Sequence, residues 1–399
     1  MRKLLAVLAL LAMVGASHTG AAEPIKIGYL AGISGVCGVL TVRARGAMEM
    51  AVDDLNAKGG ILGRKVVMIV RDSKTKPDEG AKQYRDLVQT EKVDLVTGVC
   101  SSSVFMGINP VAEETKIPLF SNTSGTHKTT VDFFHPYVYQ LQPNTLMEGA
   151  AIAEYVKRKG WKRIVTIGMD YEWGRTTVAV FKEQLAEKDP SAKIVKELWP
   201  KFGETNLASF ITATLNEKPD AVVAVTAGVT ATSLIKQGQT YGMFKRTEML
   251  TSLFTDSLFS MGADMPDGIH GWARAPFWAI PGAQEFVKRF HAKYNDYPDD
   301  WGVLHYDGMM NIIAPAIEKA GSTDPMKLQA AITSMTFNSM RGKLKVRALD
   351  HTLNSPSYIG VTQKTSQYPF SILGNVEVIP GDITLPSPAT VAKLRAEAK

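Results

Sequence analysis

Short apolar runs bounded by turn residues alternate along this chain with longer stretches in which apolar side chains recur every three or four positions. Val93-Asp94-Leu95-Val96-Thr97-Gly98-Val99 and Ile117-Pro118-Leu119-Phe120 have the pattern of strands buried on both faces, with room for one helix between them. Upstream, Ile25–Leu30 reads as a first strand. Leu40, Ala44, Ala47, Met48, Ala51 and Leu55 mark one face of a helix that stops at Lys58-Gly59-Gly60. Val66–Val70 makes a second strand, and Ala81–Glu91 a second helix with Tyr84, Leu87 and Val88 inward. Strand and helix alternating in this way predict an α/β domain on a parallel sheet.

The pattern restarts after Asn144. A helix over Leu146–Lys159 precedes the strand Arg163–Gly168, and strands follow near Ile194–Leu198, Ala221–Val225 and Met249–Phe254, with helices between them. This predicts a second α/β domain. Gly268–Phe277 reads as extended, Glu285–Tyr294 and Gly302–Lys319 as helices, and Arg341–Val361 as a polar, hairpin-like piece, too few elements for a third core. The expected organisation is residues 23–142 with about 272–345 in a first lobe, and 143–271 with about 346–399 in a second. Several crossovers between them would form a hinge.

The strand ends carry the candidate chemistry. The third strand opens into Cys100-Ser101-Ser102-Ser103 and the fourth into Ser121-Asn122-Thr123-Ser124-Gly125-Thr126. Loops at the carboxyl ends of neighbouring parallel strands face one crevice. Either loop alone is ordinary capping and turn chemistry; on successive strands the two together predict a cradle for a small polar or anionic group. Gly32-Ile33-Ser34-Gly35-Val36-Cys37-Gly38 lets the backbone approach a ligand beside a helix start. It is neither a dinucleotide fingerprint nor a P-loop, and Arg71-Asp72 only approximates the acidic strand end a dinucleotide site needs. In the second lobe the corresponding loops hold Asp170-Tyr171-Glu172-Trp173-Gly174, Thr226-Ala227-Gly228 and Leu253-Phe254 with Asp256 beyond.

Composition narrows the classes. The 399 residues are 45% hydrophobic, a globular content sufficient for two cores. Met1-Arg2-Lys3, an apolar run from Leu4 to Val14 and small residues to Ala22 have the layout of a secretory signal, with cleavage expected after Ala22 and a soluble periplasmic product. Removing Arg2 and Lys3 takes two charges from the formal +6, leaving +4 with both signs interspersed, which points to no nucleic-acid partner. Cys37 and Cys100, the two cysteines, both follow predicted strands; export permits a bond, and two packed thiols at the crevice rim are the alternative. Seven histidines show no zinc spacing, and no nucleophile elbow or base for Cys100-Ser101 is evident, so neither metal, cofactor nor catalysis is expected.

Taken in order, Ile25-Lys26-Ile27-Gly28, Asn56-Ala57-Lys58-Gly59-Gly60-Ile61-Leu62-Gly63, Cys100-Ser101-Ser102-Ser103, Pro136-Tyr137-Val138, Gly160-Trp161-Lys162-Arg163-Ile164 and Tyr306-Asp307 resemble the branched-chain amino-acid type of periplasmic solute-binding protein over nearly the whole mature chain. The resemblance implies two Rossmann-like lobes joined by a multi-crossover hinge. It also implies closure on a solute and delivery, as a monomer, to the permease and ATPase of an ABC transporter. By the same resemblance the ligand carboxylate is held by Ser101 with Thr123, Ser124 and Gly125, uncharged donors suited to an anion. Trp173 packs on the ligand, and Ser102, Cys37, Tyr171, Ala227, Phe254 and Asp256 complete the candidate set.

Two departures from the family pattern matter. Where amino-acid binders place a carboxylate for the ligand ammonium stand Leu253-Phe254, so either Asp256 reaches in or the ligand has no such group. Where they place a closing tyrosine pair stand Ala227-Gly228, leaving room for a larger or flatter solute. The cysteine that the family commonly pairs with the Cys100 equivalent is absent from Ser73-Lys74-Thr75. An aromatic or other organic acid is therefore expected alongside leucine-type amino acids. A ligand-sensing receptor ectodomain and, further off, an α/β enzyme are the alternatives.

Overall fold

The computed structural model describes residues 22–398; the expected secretory signal lies outside the described residues, apart from Ala22 at its end. Two sheets, each at the heart of one lobe, organise the chain. The first has the order β2-β1-β3-β4-β5 and is wholly parallel, built from β1 (Ile25–Ala31), β2 (Val66–Asp72), β3 (Leu95–Thr97), β4 (Leu119–Ser121) and β5 (Val138–Gln140). Its crossover helices are α1 (Gly38–Ala57), α2 (Pro77–Gln89) and α3 (Ser102–Thr115). Both faces of β1 are buried: Ile25, Ile27 and Tyr29 join one apolar cluster, and Leu30 the opposite one with α2 and α3. That is why the run lacks polar alternation. Helix α2 begins four residues before the expected Ala81, because Pro77 occupies its first turn, where a missing N–H costs nothing, with Asp78 and Glu79 on the positive end.

Helix α4 (Thr145–Lys159) opens the second lobe. The Asn144 side chain accepts from the Leu146 and Met147 amides at 3.1 Å each, Lys157, Arg158 and Lys159 occupy the last turn, and Gly160 ends the helix in the left-handed region. There follow β6 (Arg163–Gly168), α5 (Glu172–Lys188), β7 (Lys193–Leu198), α6 (Ala208–Asn216), β8 (Ala221–Val225), α7 (Gly228–Thr240), β9 (Glu248–Ser252), α8 (Thr255–Met261) and β10 (His270–Ala273). The chain then returns to the first lobe, where α9 (Gln284–Tyr294), α10 (Asp300–Gly308), α11 (Ala314–Ala320) and α12 (Pro325–Ser334) precede the hairpin of β11 (Phe337–Ser339) and β12 (Gly342–Leu344). Helix α10 packs along α1.

Strands β13 (Ser357–Gln363) and β14 (Ile372–Ile379) close the second sheet, β14-β13-β10-β9-β8-β6-β7, as an antiparallel edge on a parallel core. Strand β10 stays in this sheet to Ala273. Helix α13 (Pro388–Glu397) lies on the seam, with Val391 among Val131 of the first lobe and Leu146 and Val180 of the second. The α/β architecture with two Rossmann-like sheets flanked by helices is the type I periplasmic binding fold expected from the sequence. The Arg341–Val361 segment is hairpin-like as expected in its first part, where β12 pairs with β11 and an antiparallel bridge joins Val346 to Leu353, while β13 leaves to pair in the second sheet.

One buried guanidinium ties the crossings together. Arg341, in the β11–β12 turn, donates from Nε to Asp307 Oδ2 at 3.0 Å, from Nη1 to Ser355 Oγ and from Nη2 to the Leu141 carbonyl at 3.2 Å. Leu141 and Ser355 belong to two different crossovers. Asp307, on α10, also accepts from the Met340 amide at 2.8 Å, Asn311 Nδ2 at 2.7 Å and Ser339 Oγ at 2.6 Å. Both side chains are fully buried. Removing one member leaves the other charge unpaired, which costs about 3–5 kcal/mol. Asp307→Ala is expected to lose that much in urea unfolding; a loss under about 1 kcal/mol would mean the pair does not anchor the crossovers.

Candidate functional site

The carboxyl ends of both sheets face a common cavity. The first lobe contributes Val36, Cys37 and Leu40 around the start of α1, Cys100 and Ser102 after β3, Thr123 and Gly125 after β4, and Trp301 from the first turn of α10. The second contributes Tyr171 and Trp173 after β6, Phe202 after β7, Ala227, Gly228 and Val229 after β8, Phe254 after β9 and Arg274 after β10. Five aromatic rings thus line one space. Helices α1, α5 and α7 begin on it at Cys37, Tyr171 and Ala227, none of which caps its helix with a side chain. Their first-turn N–H groups and positive dipole ends favour negative charge in the cavity.

Arg274 is the charged group of the wall, and it is 2% exposed. Its Nε donates to Glu148 Oε1 at 2.8 Å and its Nη2 to Glu148 Oε2 at 2.9 Å, a two-pronged pair with a carboxylate on α4 that is itself buried. Nη1 donates to the Thr123 carbonyl of the first lobe at 2.6 Å. A guanidinium has five N–H donors, so two remain. Phe254, Trp301 and Trp173 surround it, with ring centroids 5.3, 5.4 and 5.9 Å from Cζ. Trp173 Nε1 donates to Glu148 Oε2 at 2.8 Å. The backbone is fixed by Asp300, whose carboxylate accepts from the amides of Arg274 at 2.9 Å, Ala275 at 2.6 Å and Thr255 at 2.8 Å, and from Thr255 Oγ1 at 2.5 Å.

Of the residues singled out from the sequence, Cys37, Ser102, Thr123, Gly125, Tyr171, Trp173, Ala227 and Phe254 meet on this cavity. Tyr171 stacks on Phe202, 4.1 Å between centroids. Cys37 and Cys100 form a disulfide with Cα atoms 6.4 Å apart, which resolves the open alternative in favour of the bond. Gly125 is required where it stands: a Cβ there would lie 2.6 Å from Arg274 Nη2 and 2.7 Å from Trp173 Cδ1.

Three expected residues lie elsewhere. Ser101 is the N-cap of α3, its hydroxyl accepting from the Val104 amide at 3.5 Å, and it is Ser102 that reaches the cavity while accepting from the Gly125 and Thr126 amides at 3.1 Å each. Ser124 sits behind the wall, its carbonyl taking Gln140 Nε2 at 2.8 Å and Ser121 Oγ at 3.1 Å. Asp256 is buried beside Asp299 and Asp300 and not on the cavity. Burial first, and those two acids second, push its pKa well above the aspartate range; Asp299 is pushed up to about 7, again mainly by burial. An acid held toward its neutral form and off the cavity wall is not placed to receive an ammonium group.

Beside the uncharged first-lobe donors the wall carries a charged group, Arg274, which sequence reading missed along with Glu148, Phe202, Val229 and Trp301. A local signal existed for the pair. Arg274 is a lone charge in the apolar run Gly271-Trp272-Ala273-Arg274-Ala275-Pro276-Phe277, and Glu148 lies one turn before Ile152 on the buried face of its helix. Charges in such positions are rarely left without a partner.

Among the described residues no helix is long and apolar enough to cross a membrane, and no group of three or more His, Cys, Asp or Glu side chains could hold a metal ion. The family model described as periplasmic binding protein matches residues 24–367. A Leu/Ile/Val-binding protein homolog 7 of Brucella abortus is 24% identical over 347 residues, covering 82% of this chain and 86% of the relative. Glutamate receptor 3.4 of Arabidopsis thaliana is 23% identical over 69% of this chain, which spans only 29% of the receptor's length. A solute binding protein of an ABC transporter from Rhodopseudomonas palustris BisB5, solved in complex with 3,4-dihydroxybenzoic acid, superposes with a TM-score of 0.82 at 21% identity over 92% of this chain and 99% of that one. With a family match running through both lobes, the chain belongs to the periplasmic binding proteins, in the company of Leu/Ile/Val-binding homologues of ABC transporters.

Proposed function

We propose that this protein captures an aromatic carboxylate between its two lobes and delivers it to the permease and ATPase of an ABC uptake system. The observation that carries this reading is Arg274, a buried arginine with two unspent N–H donors inside a box of five aromatic rings. No Asp or Glu lines the cavity among the described residues. A planar ring would stack among Trp173, Phe254 and Trp301, while its carboxylate takes the remaining Arg274 donors, the Ser102 hydroxyl and the uncapped amides of α5 and α7. Ala227 and Gly228 put no bulky side chain on the second-lobe wall. The dihydroxybenzoate in the Rhodopseudomonas relative has the same chemistry.

A leucine-type amino acid, suggested by the name of the Brucella relative, would bury an ammonium group with no anion to receive it. A sensory role, as in the plant receptor, would use the same pocket and the same ligand class.

Titration calorimetry on protein refolded free of ligand is expected to give binding of benzoate or 4-hydroxybenzoate and none of leucine; the reverse order of affinity sinks the reading. Arg274→Met alone strands Glu148 and is expected to cost about 3–5 kcal/mol of stability. The paired Arg274→Met, Glu148→Gln protein should fold and bind the aromatic acid more weakly by about 1.5–3 kcal/mol, roughly tenfold to a hundredfold. Retained affinity in that pair removes Arg274 from ligand recognition.

Asp256→Asn should leave affinity unchanged, since the carboxyl does not face the ligand. Its folded-state pKa is raised above the unfolded value, so the stability it contributes is present at low pH and is lost as pH climbs from the ordinary aspartate range through the raised value. The variant's thermal stability relative to the parent is therefore expected to be greater at pH 8 than at pH 5. An equal difference at both pH values would contradict the burial of a neutral acid.

A further inference from the structure

The disulfide is placed where a purely structural bridge has no need to be. Both half-cystines line the cavity, and they join the loop leading into α1 to the loop leading into α3. The α1 loop has few other anchors. Ile33 and Val36 are 40% and 41% exposed, and Ser34 and Gly35 are exposed as well. Its polar ties are Asp72, which accepts from the Ile33 amide at 3.0 Å and Ser34 Oγ at 2.6 Å, Thr75, whose hydroxyl donates to the Ser34 carbonyl at 3.2 Å and accepts from the Cys37 amide at 3.3 Å, and Thr41, whose hydroxyl donates to the Gly32 carbonyl at 3.1 Å. The bonds to Asp72 and from Thr75 to Ser34 are open to solvent, where water competes for the same groups. The Cys37 side chain makes no capping hydrogen bond to α1, and its sulfur links the helix start to the loop after β3.

The same loop reaches across the cleft. A Cβ on Gly203 would lie 3.4 Å from the Val36 methyls, and one on Gly228 would lie 3.8 Å from Val39. The disulfide therefore holds both a wall of the cavity and the first-lobe surface that meets the second lobe.

We propose that the Cys37–Cys100 disulfide is the tether that shapes the binding cavity, so that cutting this one bond lowers solute affinity while both lobes stay folded. A dithiol reductant would cleave the S–S bond, each cysteine gaining one electron and one proton, as the reductant's two sulfurs join in a disulfide of their own. Solute capture is thereby stronger in the oxidised protein. The inference rests on the cavity being the solute site, whichever solute it takes.

The test compares oxidised protein, protein reduced with dithiothreitol, and the Cys37→Ser, Cys100→Ser double variant, which needs no reductant to reach the bond. Each is titrated with 4-hydroxybenzoate and with leucine and followed by amide hydrogen exchange. Reduction and the double variant are expected to weaken binding of whichever compound the oxidised protein takes by tenfold or more, with faster exchange confined to residues 32–41 and 99–104. Affinity within twofold of the oxidised protein overturns the proposal, as does faster exchange spread through both sheets, which marks general destabilisation. Should the oxidised protein take leucine and not the aromatic acid, the reading of the ligand class fails while the tether is still judged on leucine. Should it take neither compound, unchanged exchange in residues 32–41 overturns the tether and faster exchange confined there supports it.

Discussion

The ion pair between Arg274 and Glu148 is the constraint on which the arrangement of the cavity depends. Two opposite charges taken wholly out of water lose several kcal/mol of hydration each, and their attraction repays this only when geometry and the remaining hydrogen bonds are good. Here the carboxylate takes two guanidinium donors and the Trp173 indole, and the guanidinium takes a first-lobe carbonyl, Thr123. Each bond that makes the burial tolerable also places a wall residue. Trp173 is oriented by its N–H, the Thr123 loop by its carbonyl, and position 125 is restricted to glycine because the guanidinium and the indole occupy the space of a side chain. The pair thus converts an electrostatic requirement into the shape of the site.

Its charge balance also bears on the ligand. Arg274 and Glu148 cancel, and Asp256 and Asp299 are held toward their neutral forms by burial. A cavity with a neutral pair has no strong preference of its own. The sign is set by the helix starts, three of which open on the space without a side-chain cap, and by the unspent donors of Arg274. An anion is attracted by several partial charges at once, none of which must be neutralised for the empty protein to fold. That differs from a free lysine or arginine, whose burial in an unliganded cavity would carry a large desolvation cost.

The layout of strands was legible because buried parallel strands are near-continuous apolar runs, and the crevice followed from the rule that loops at their carboxyl ends converge. Trp173, Ser102 and Gly125 fall on such loops. What was hidden depends on distance in the chain. Arg274 and Glu148 are 126 residues apart, and no local period links a lone charge after one strand to an acid on a helix of another crossing. The exchange of roles between Ser101 and Ser102 is a single step along a helix start: the N-cap position turns its hydroxyl to the helix, and the next residue faces outward. Asp256 misled for the opposite reason. Its sequence position, just past a strand end, suits a ligand contact, but a first-turn residue of α8 rotates away from the cavity toward Asp299 and Asp300, a grouping visible only in three dimensions.

The contacts that span the cleft mouth are few and of mixed character. Glu172 of the second lobe meets Lys128 at 3.1 Å and Thr126 at 3.0 Å, both on the first, with side chains partly open to water, and the valines at the start of α1 meet glycine backbone. Partly exposed ion pairs of this kind contribute about 1 kcal/mol or less, and a pair of valine contacts adds little more. The crossovers, by contrast, are locked by the fully buried Arg341–Asp307 group. Separating the lobes leaves both cores intact, but it must part the buried Arg274–Thr123 hydrogen bond as well as these mouth contacts. A solute touching aromatic rings and donors from both lobes supplies differential binding energy, because those contacts exist together only when the lobes meet. In the proposed reading, recognition and closure are therefore one event, and the affinity observed is the gross contact energy less the cost of bringing the mouth together.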